Sequence, residues 1–137
     1  MMNYKKLIVE KFHLIENINI YHNYYKIEEG KYIFFLNKII DKDSINETLL
    51  DNLKTIISKN DYSKWKTIII FGKTSVKFTK KDLTYFDGED TAVVLYLVDE
   101  ANNMQFYDGS WSFIPCLNNK KLLNSINQII NEFKKTN

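Results

Sequence analysis

The sequence predicts a single α+β domain over residues 1–137, in which two amphipathic helices pack on an antiparallel or mixed β-sheet. Apolar residues recur at three- and four-residue spacing in two segments, about 44–59 and 118–134, and this spacing is the helical period. Two other segments, 67–71 and 91–98, are apolar at consecutive positions and rich in β-branched residues. Such runs are typical of strands that are covered on both faces. The length of 137 residues fits one domain.

The first forty residues divide into three predicted pieces. Residues 4–15 fit either a strand or one face of a short helix, and we favour the strand. Isoleucine alternates with asparagine at the start of 17–27, which predicts a half-buried strand. Residues 31–37 form the next predicted strand, and a turn at 28–30 joins the two.

The first helix carries a start signal. Ser44 and Glu47 have the spacing of a capping box, in which the serine hydroxyl accepts from the Glu47 amide while the carboxylate reaches back. The helix is therefore predicted to begin at Ser44 and to end at Asn60–Asp61. Its apolar stripe consists of Ile45, Leu49, Leu50, Leu53, Ile56 and Ile57.

The second half of the chain alternates strands with turns. Gly72 ends the first buried strand, and the second strand lies between turn residues at 87–88 and 99–103. Residues 104–107 then form a short return strand, which Asp108–Gly109 ends. After Pro115, Asn118 is a good N-cap for the closing helix. The apolar stripe of that helix consists of Leu122, Leu123, Ile126, Ile129, Ile130 and Phe133.

The chain contains no arginine, so all nineteen positive side chains are lysines and the net charge is only +2. Arginine provides the bidentate grip on phosphates and guanine edges. Because that grip is missing and the lysines are scattered among seventeen acids, nucleic acid is an unlikely partner. Abundant lysine, asparagine, isoleucine and tyrosine indicate an A- and T-rich coding sequence.

Cys116 is the only cysteine, so an intrachain disulfide is excluded and a reducing compartment is favoured. Glu10 and Lys11 interrupt the short apolar run at residues 7–9, so we expect no signal peptide. No apolar run approaches the roughly 20 residues that span a bilayer. We therefore expect a cytoplasmic protein without a membrane segment.

One group of acids could serve a metal-dependent hydrolase. These acids bracket the strand at 91–98, and clustered carboxylates at strand ends can hold Mg²⁺. However, that strand carries no charge, and no glutamate in the region is followed two residues later by lysine. We therefore favour the interpretation that the acids form polar turns. The group comprises Asp82, Asp87, Glu89, Asp90, Asp99 and Glu100.

Other catalytic patterns are weaker still. His13 and His22 are too few for a metal site without further ligands, and Cys116 beside Pro115 resembles a small core residue. Gly72-Lys73-Thr74 lacks the upstream glycine of a phosphate-binding loop. We expect no catalytic residue, metal or cofactor.

Aromatic and acidic residues in the second half predict a protein-binding surface. Tyrosine and tryptophan dominate interface hot spots, and neighbouring acids would steer a basic partner. The predicted contact residues are Tyr85, Phe86, Asp87, Glu89, Asp90, Asp99, Glu100, Tyr107, Asp108 and Trp111.

In general character, a small arginine-free domain with scattered acids and no coherent catalytic set resembles bacterial immunity or antitoxin proteins. The resemblance implies a non-enzymatic protein that neutralises a toxin by occluding it. Two alternatives stay open. One is a metal-dependent nuclease or hydrolase that uses the acids at 82–100. The other is an accessory or structural subunit, which could form a homodimer through exposed strand edges.

Overall fold

The fold is described by a computed structural model over residues 2–14, 16–17, 24–44, 46–59, 61–79, 81–82, 90–110 and 113–136. Three α-helices lie in this part of the chain: α1 (Met2–Lys11), α2 (Glu47–Ser58) and α3 (Lys120–Thr136). The strands are β1 (Glu16–Asn17), β2 (Tyr24–Glu28), β3 (Lys31–Ile40), β4 (Lys66–Thr74), β5 (Thr91–Val98) and β6 (Met104–Asp108). A short 3-10 helix, Pro115–Leu117, precedes α3.

The six strands form one mixed sheet in the order β1-β2-β3-β4-β5-β6. The three central strands β3, β4 and β5 are parallel, and the outer pairs β1–β2, β2–β3 and β5–β6 are antiparallel. Helix α2 connects β3 to β4, as parallel neighbours require a crossover. The predicted α+β class with a mixed sheet is confirmed.

Two hydrophobic cores lie on the two faces of the sheet. On one face, α2 packs Leu50, Leu53 and Ile57 against alternate residues of the central strands. On the other face, α1 and α3 pack against the intervening residues of the same strands. Strand β5 is therefore buried along its whole length. Each fully buried aliphatic side chain contributes about 1.5–3 kcal/mol relative to an exposed one. The continuous apolar runs of β4 and β5 follow from this covering on both sides.

The favoured strand at residues 4–15 is wrong, because Met2–Lys11 is helix α1. Tyr4 and Ile8 lie one turn apart on the same face of this helix, and both are buried in the α1/α3 core, where the Tyr4 ring contacts the Phe133 ring at a centroid distance of 4.7 Å. His13 then adopts a positive φ of 52°, which ends the helix and turns the chain toward β1.

The start of α2 also differs from the prediction. Asn46 is its N-cap, and the Asn46 side chain accepts from the Leu49 amide at 2.9 Å. Ser44 is held by Asp41 instead, since the Ser44 amide and hydroxyl both donate to Asp41 Oδ1 at 3.0 Å. The capping box at Ser44 is therefore not formed, and the helix begins three residues later than predicted.

The remaining elements lie close to their predicted places. Helix α3 begins at Lys120, and its first turn bonds to the Asn119 carbonyl at 2.8 Å. The side chain of Asn118, the predicted cap, accepts from the Lys120 amide at 3.3 Å. Strands β3 and β4 are each longer than predicted. The single strand predicted at 17–27 is wrong, because Asn17 of β1 pairs antiparallel with Tyr24 of β2, so the two lie on neighbouring strands. The residues between them, with His22, lie outside the described residues.

Candidate partner-binding edge of the sheet

The β5–β6 hairpin brings together four of the predicted contact residues. Its turn is shaped by Asp99, whose amide donates to the Asn103 carbonyl at 3.0 Å and whose Oδ1 accepts from the Asn103 amide at 2.9 Å. Asn102 supplies the positive φ of 64° that the turn requires. Asp99 therefore acts first as a turn residue, as the sequence indicated, and it leaves Glu100 exposed at the hairpin tip.

Strand β6 is an outer strand of the sheet. Within the described part of the chain, β5 is its one pairing partner. Phe106 is 46% exposed at the middle of β6, and its inner side contacts the Tyr96 ring at a centroid distance of 4.9 Å. Asp108 is exposed at the far end of β6. This places an aromatic side chain between the acids at the two ends of the strand.

The other face of β6 is fixed by a side chain that the sequence did not indicate. Gln105 accepts from the Phe78 amide at 2.7 Å and donates to the Val76 carbonyl at 2.8 Å. Tyr107 lies on this face and packs against the α2 core. Phe78, Tyr107 and Asp108 are among the residues that line a cavity of about 320 Å³. Gln105 thus attaches the segment after β4 to the outer strand and holds that strand in place.

We call the outer side of this hairpin the acidic edge, defined by Asp99, Glu100, Phe106, Tyr107 and Asp108. Asp99 and Asp108 are separated by five positions along an antiparallel strand, or about 17 Å. Among the described residues, the three carboxylates of the acidic edge form no ion pair. Burial raises the pKa of the Tyr96 phenol, and the negative charge of Asp108 raises it further. Within the part of the chain that the structure describes, no ion pair therefore neutralises the negative charge of this edge.

Asp90 lies at the opposite end of β5, at a distance of nine strand positions or about 30 Å from Asp99. There it contacts Lys54 at 3.3 Å and accepts from the Thr91 hydroxyl at 3.0 Å. Asp82 is likewise paired, with Lys42 at 3.4 Å. These three predicted acids thus do not come together. Over the ranges that the structure describes, no three acidic, histidine or cysteine side chains gather as metal ligands. Tyr85, Phe86, Asp87, Glu89 and Trp111 lie outside those ranges.

The acidic edge belongs to the one long segment of the chain without a positive charge. Between Lys81 and Lys120 there are seven acidic side chains and no lysine, whereas the rest of the chain holds all nineteen lysines and ten acids. The near-neutral net charge of +2 hides this separation. Sequence reasoning based on total composition missed it, although the spacing of the lysines shows it directly.

A second cavity lies at the carboxyl ends of the parallel strands, where ligands of α/β sheets commonly bind. Its volume is about 290 Å³, and it adjoins the hairpin tip. Ile39 is 66% exposed at its rim, and Lys73 and Ser75 face Asp99 and Glu100 across it. The cavity extends the surface beside the acidic edge with an apolar side chain and a lysine.

A strong electrostatic perturbation lies elsewhere, at Asp61. This carboxylate is 1% exposed and accepts from the Gly30 and Ser63 amides, each at 2.8 Å, and from the Tyr32 hydroxyl. Burial by itself would raise the pKa of Asp61, but the hydrogen bonds from Tyr32, Ser63 and Gly30 outweigh it and hold that pKa below its usual range. Because every donor belongs to the chain itself, Asp61 serves to fix the β2–β3 turn against the loop before β4.

No helix in the described ranges is long and apolar enough to cross a membrane. Comparison with known proteins gives no relative: no protein-family model, no curated protein and no solved structure matches the chain. The protein is therefore characterised by its fold and site alone. It is an α+β protein with a mixed sheet, and the half-exposed ring of Phe106 on its outer strand β6 lies between Asp108 and the acids of the hairpin turn.

Proposed function

We propose that this chain is a non-enzymatic protein-binding domain of the bacterial immunity or antitoxin type, which acts in the cytoplasm and neutralises a toxin by covering it with the acidic edge. The observation that carries the proposal is the charge separation along the sequence, where seven acids and no lysine lie between Lys81 and Lys120. Three of these acids, Asp99, Glu100 and Asp108, lie in the β5–β6 hairpin. A surface of one sign attracts a partner of the opposite sign and speeds its approach.

The arrangement of side chains supports docking of a protein rather than attraction alone. Phe106 offers an apolar contact at the centre of the edge, and Asp99, Glu100 and Asp108 surround it. A central aromatic residue with a charged rim is the usual distribution of binding energy in an interface. The unneutralised acids fit a partner whose own active site is basic, as in an enzyme that binds nucleic acid.

The experiment uses the protein encoded next to this chain. Where that neighbour is a secreted protein with a basic C-terminal domain, the purified domain should bind this chain one to one and lose its toxic activity. We compare Glu100→Lys/Asp108→Lys with the control pair Asp43→Lys/Asp51→Lys, which replaces equally exposed acids away from the acidic edge. Both pairs change the net charge equally, so overall charge does not distinguish them.

The acidic-edge pair should weaken binding by roughly a hundredfold, and the control pair by less than about threefold. Equal effects of the two pairs would contradict the proposal, because binding would then depend on total charge. Full inhibition by the acidic-edge variant would contradict it as well.

A further inference from the structure

The hydrogen-bond pattern of the hairpin determines which backbone groups of β6 point outward. The Gly109 amide donates to Val93 at 2.9 Å, and the Asp99 amide donates to Asn103 at 3.0 Å. In an antiparallel pair, hydrogen-bonded and non-hydrogen-bonded positions alternate. Positions 103, 105, 107 and 109 therefore bond to β5.

The backbone amides and carbonyls of Met104, Phe106 and Asp108 consequently point away from the sheet. Among the described residues, none of these outward groups takes part in a backbone hydrogen bond beyond the β5–β6 pair. The side chains of the same three positions lie on the α1/α3 face, since Phe106 contacts Tyr96 and Met104 packs against that core. The outward edge thus presents donors, acceptors and an aromatic side chain together.

Strand β6 contains neither of two residue types that commonly protect an open edge. Natural edge strands are commonly blocked by lysine or proline, and the sequence Met-Gln-Phe-Tyr-Asp contains neither. Gln105 holds the strand in position through the backbone of Val76 and Phe78. An edge that is already ordered loses little further entropy when another strand pairs with it.

We propose that β6 accepts one added strand from its partner, an extended segment with lysine or arginine at alternate positions; this inference rests on the proposed function. Strand addition supplies affinity through main-chain hydrogen bonds, and alternate side chains supply specificity. Basic side chains on the added strand would lie next to Asp108 at one end and next to Asp99 and Glu100 at the other.

A second copy of this chain fits the same edge poorly. Antiparallel pairing of two β6 strands about Phe106 brings Asp108 of one copy toward the hairpin tip of the other. Asp99 and Glu100 lie at that tip, so like charges would meet twice across the two-fold axis. Like charges that face each other across a strand pair oppose the pairing. The charge pattern therefore selects a basic strand over self-association.

The test measures binding of fluorescent peptides of about nine residues in which lysine alternates with threonine, a good strand former. One analogue carries N-methyl groups on its lysine and threonine amides, so neither edge donates hydrogen bonds. Another analogue replaces lysine with glutamate. The lysine peptide should bind with a dissociation constant below about 1 mM, and each analogue should bind at least about tenfold more weakly.

A pair of protein variants tests the same point from the other side. Phe106→Pro removes an outward amide that β5 does not use, and Phe106→Ala is its matched control, since both lose the ring. The proline variant should bind the lysine peptide at least about tenfold more weakly than the alanine variant. Thermal unfolding of both variants checks that the hairpin is intact.

Equal binding of the lysine peptide and its N-methylated analogue would overturn strand addition while leaving the acidic edge as a docking surface. No binding of any peptide at about 1 mM would also overturn strand addition. The proposed function is tested separately, by binding of the toxin to the charge-reversal variants of this chain. Light scattering that showed a dimer lost on Phe106→Pro would assign the edge to a second copy instead and overturn the basic strand.

Discussion

The ring of Phe106 on the outer strand contacts the ring of Tyr96 at a centroid distance of 4.9 Å and an interplanar angle of 41°. Tyr96 in turn stacks on Phe71 at 4.5 Å and 9°, and its hydroxyl donates to Asn127 at 2.8 Å. A half-exposed side chain is thereby attached to a fully buried aromatic stack. One side of the Phe106 ring is thus packed against the core before a partner arrives, which favours an interface anchor.

Replacing Phe106 by alanine should therefore affect binding more than stability. The ring is 46% exposed, so its loss should lower the free energy of unfolding by only about 1 kcal/mol. The affinity for the partner should fall by about 2 kcal/mol, or roughly thirtyfold. Chemical denaturation and calorimetric titration measure the two effects. Tyr62→Ala is the control, because Tyr62 is 91% exposed in the loop before β4 and should change neither quantity.

The association rate should depend on salt through the acidic edge. Exposed charges are screened over about 10 Å at 0.1 M salt, so raising the salt from about 0.05 to 0.5 M should slow association by roughly tenfold or more. In Glu100→Lys/Asp108→Lys this dependence should largely disappear, while the dissociation rate changes less. Stopped-flow mixing with the partner measures both rates. An unchanged salt dependence in that variant would place the steering charges elsewhere.

Asp61 should make stability depend on pH in the acidic range. Its pKa is depressed in the folded protein, so its contribution is complete above the unfolded pKa of about 3.9 and is lost as the pH falls toward the folded value. At neutral pH, Asp61→Asn should cost about 2–3 kcal/mol, since an amide leaves buried donors without acceptors.

The stability difference between the wild type and Asp61→Asn should shrink when the pH is lowered from about 6 to 3. Urea unfolding at several pH values measures it. Tyr32→Phe serves as the comparison, because it removes one donor and leaves the carboxylate with the Gly30 and Ser63 amides. It should cost only about 1 kcal/mol. A difference that grows at low pH would contradict the role of Asp61.

The end of β6 should tolerate no side chain at Gly109. A Cβ at this position would lie 2.6 Å from the Val93 carbonyl oxygen, which is the acceptor of the Gly109 amide. Gly109→Ala should therefore destabilise the protein by about 1–3 kcal/mol. In the same hairpin, Asn102→Gly should be neutral or slightly stabilising, since its φ is 64°. Thermal unfolding of the two variants measures the contrast, and equal behaviour would be inconsistent with this hairpin geometry.

The elements that sequence predicted well are strands that are apolar on both faces and helices that have one clear apolar face. Strand β5 is buried at all eight positions, so no competing pattern obscures it. Helix α1 was missed because Tyr4, Ile8 and their neighbours fit a strand or a helix equally, and only contact with α3 decides between them. The start of α2 was misplaced because Asp41 engages Ser44, a local competitor that spacing rules ignore.

The candidate site was only partly predictable for a related reason. Asp99, Glu100, Tyr107 and Asp108 belong to one hairpin, as their closeness in sequence indicates, and their role in binding stays a prediction. Asp90 was grouped with them by sequence proximity, but β5 carries it to the other end of the sheet. The hydrogen bonds of Asp61 could not be predicted from the sequence, since the donors Gly30 and Tyr32 lie 31 and 29 positions away. Contacts of that range depend on the completed sheet.

Amide hydrogen exchange of the complex shows whether the partner covers the acidic edge. On binding, exchange should slow at Met104, Phe106 and Asp108, whose amides point outward from β6. The amides of Gln105 and Tyr107 should already be slow in the free protein because they bond to β5. Protection confined to α1, α3 or the β1 side of the sheet, with unchanged exchange along β6, would contradict the claim.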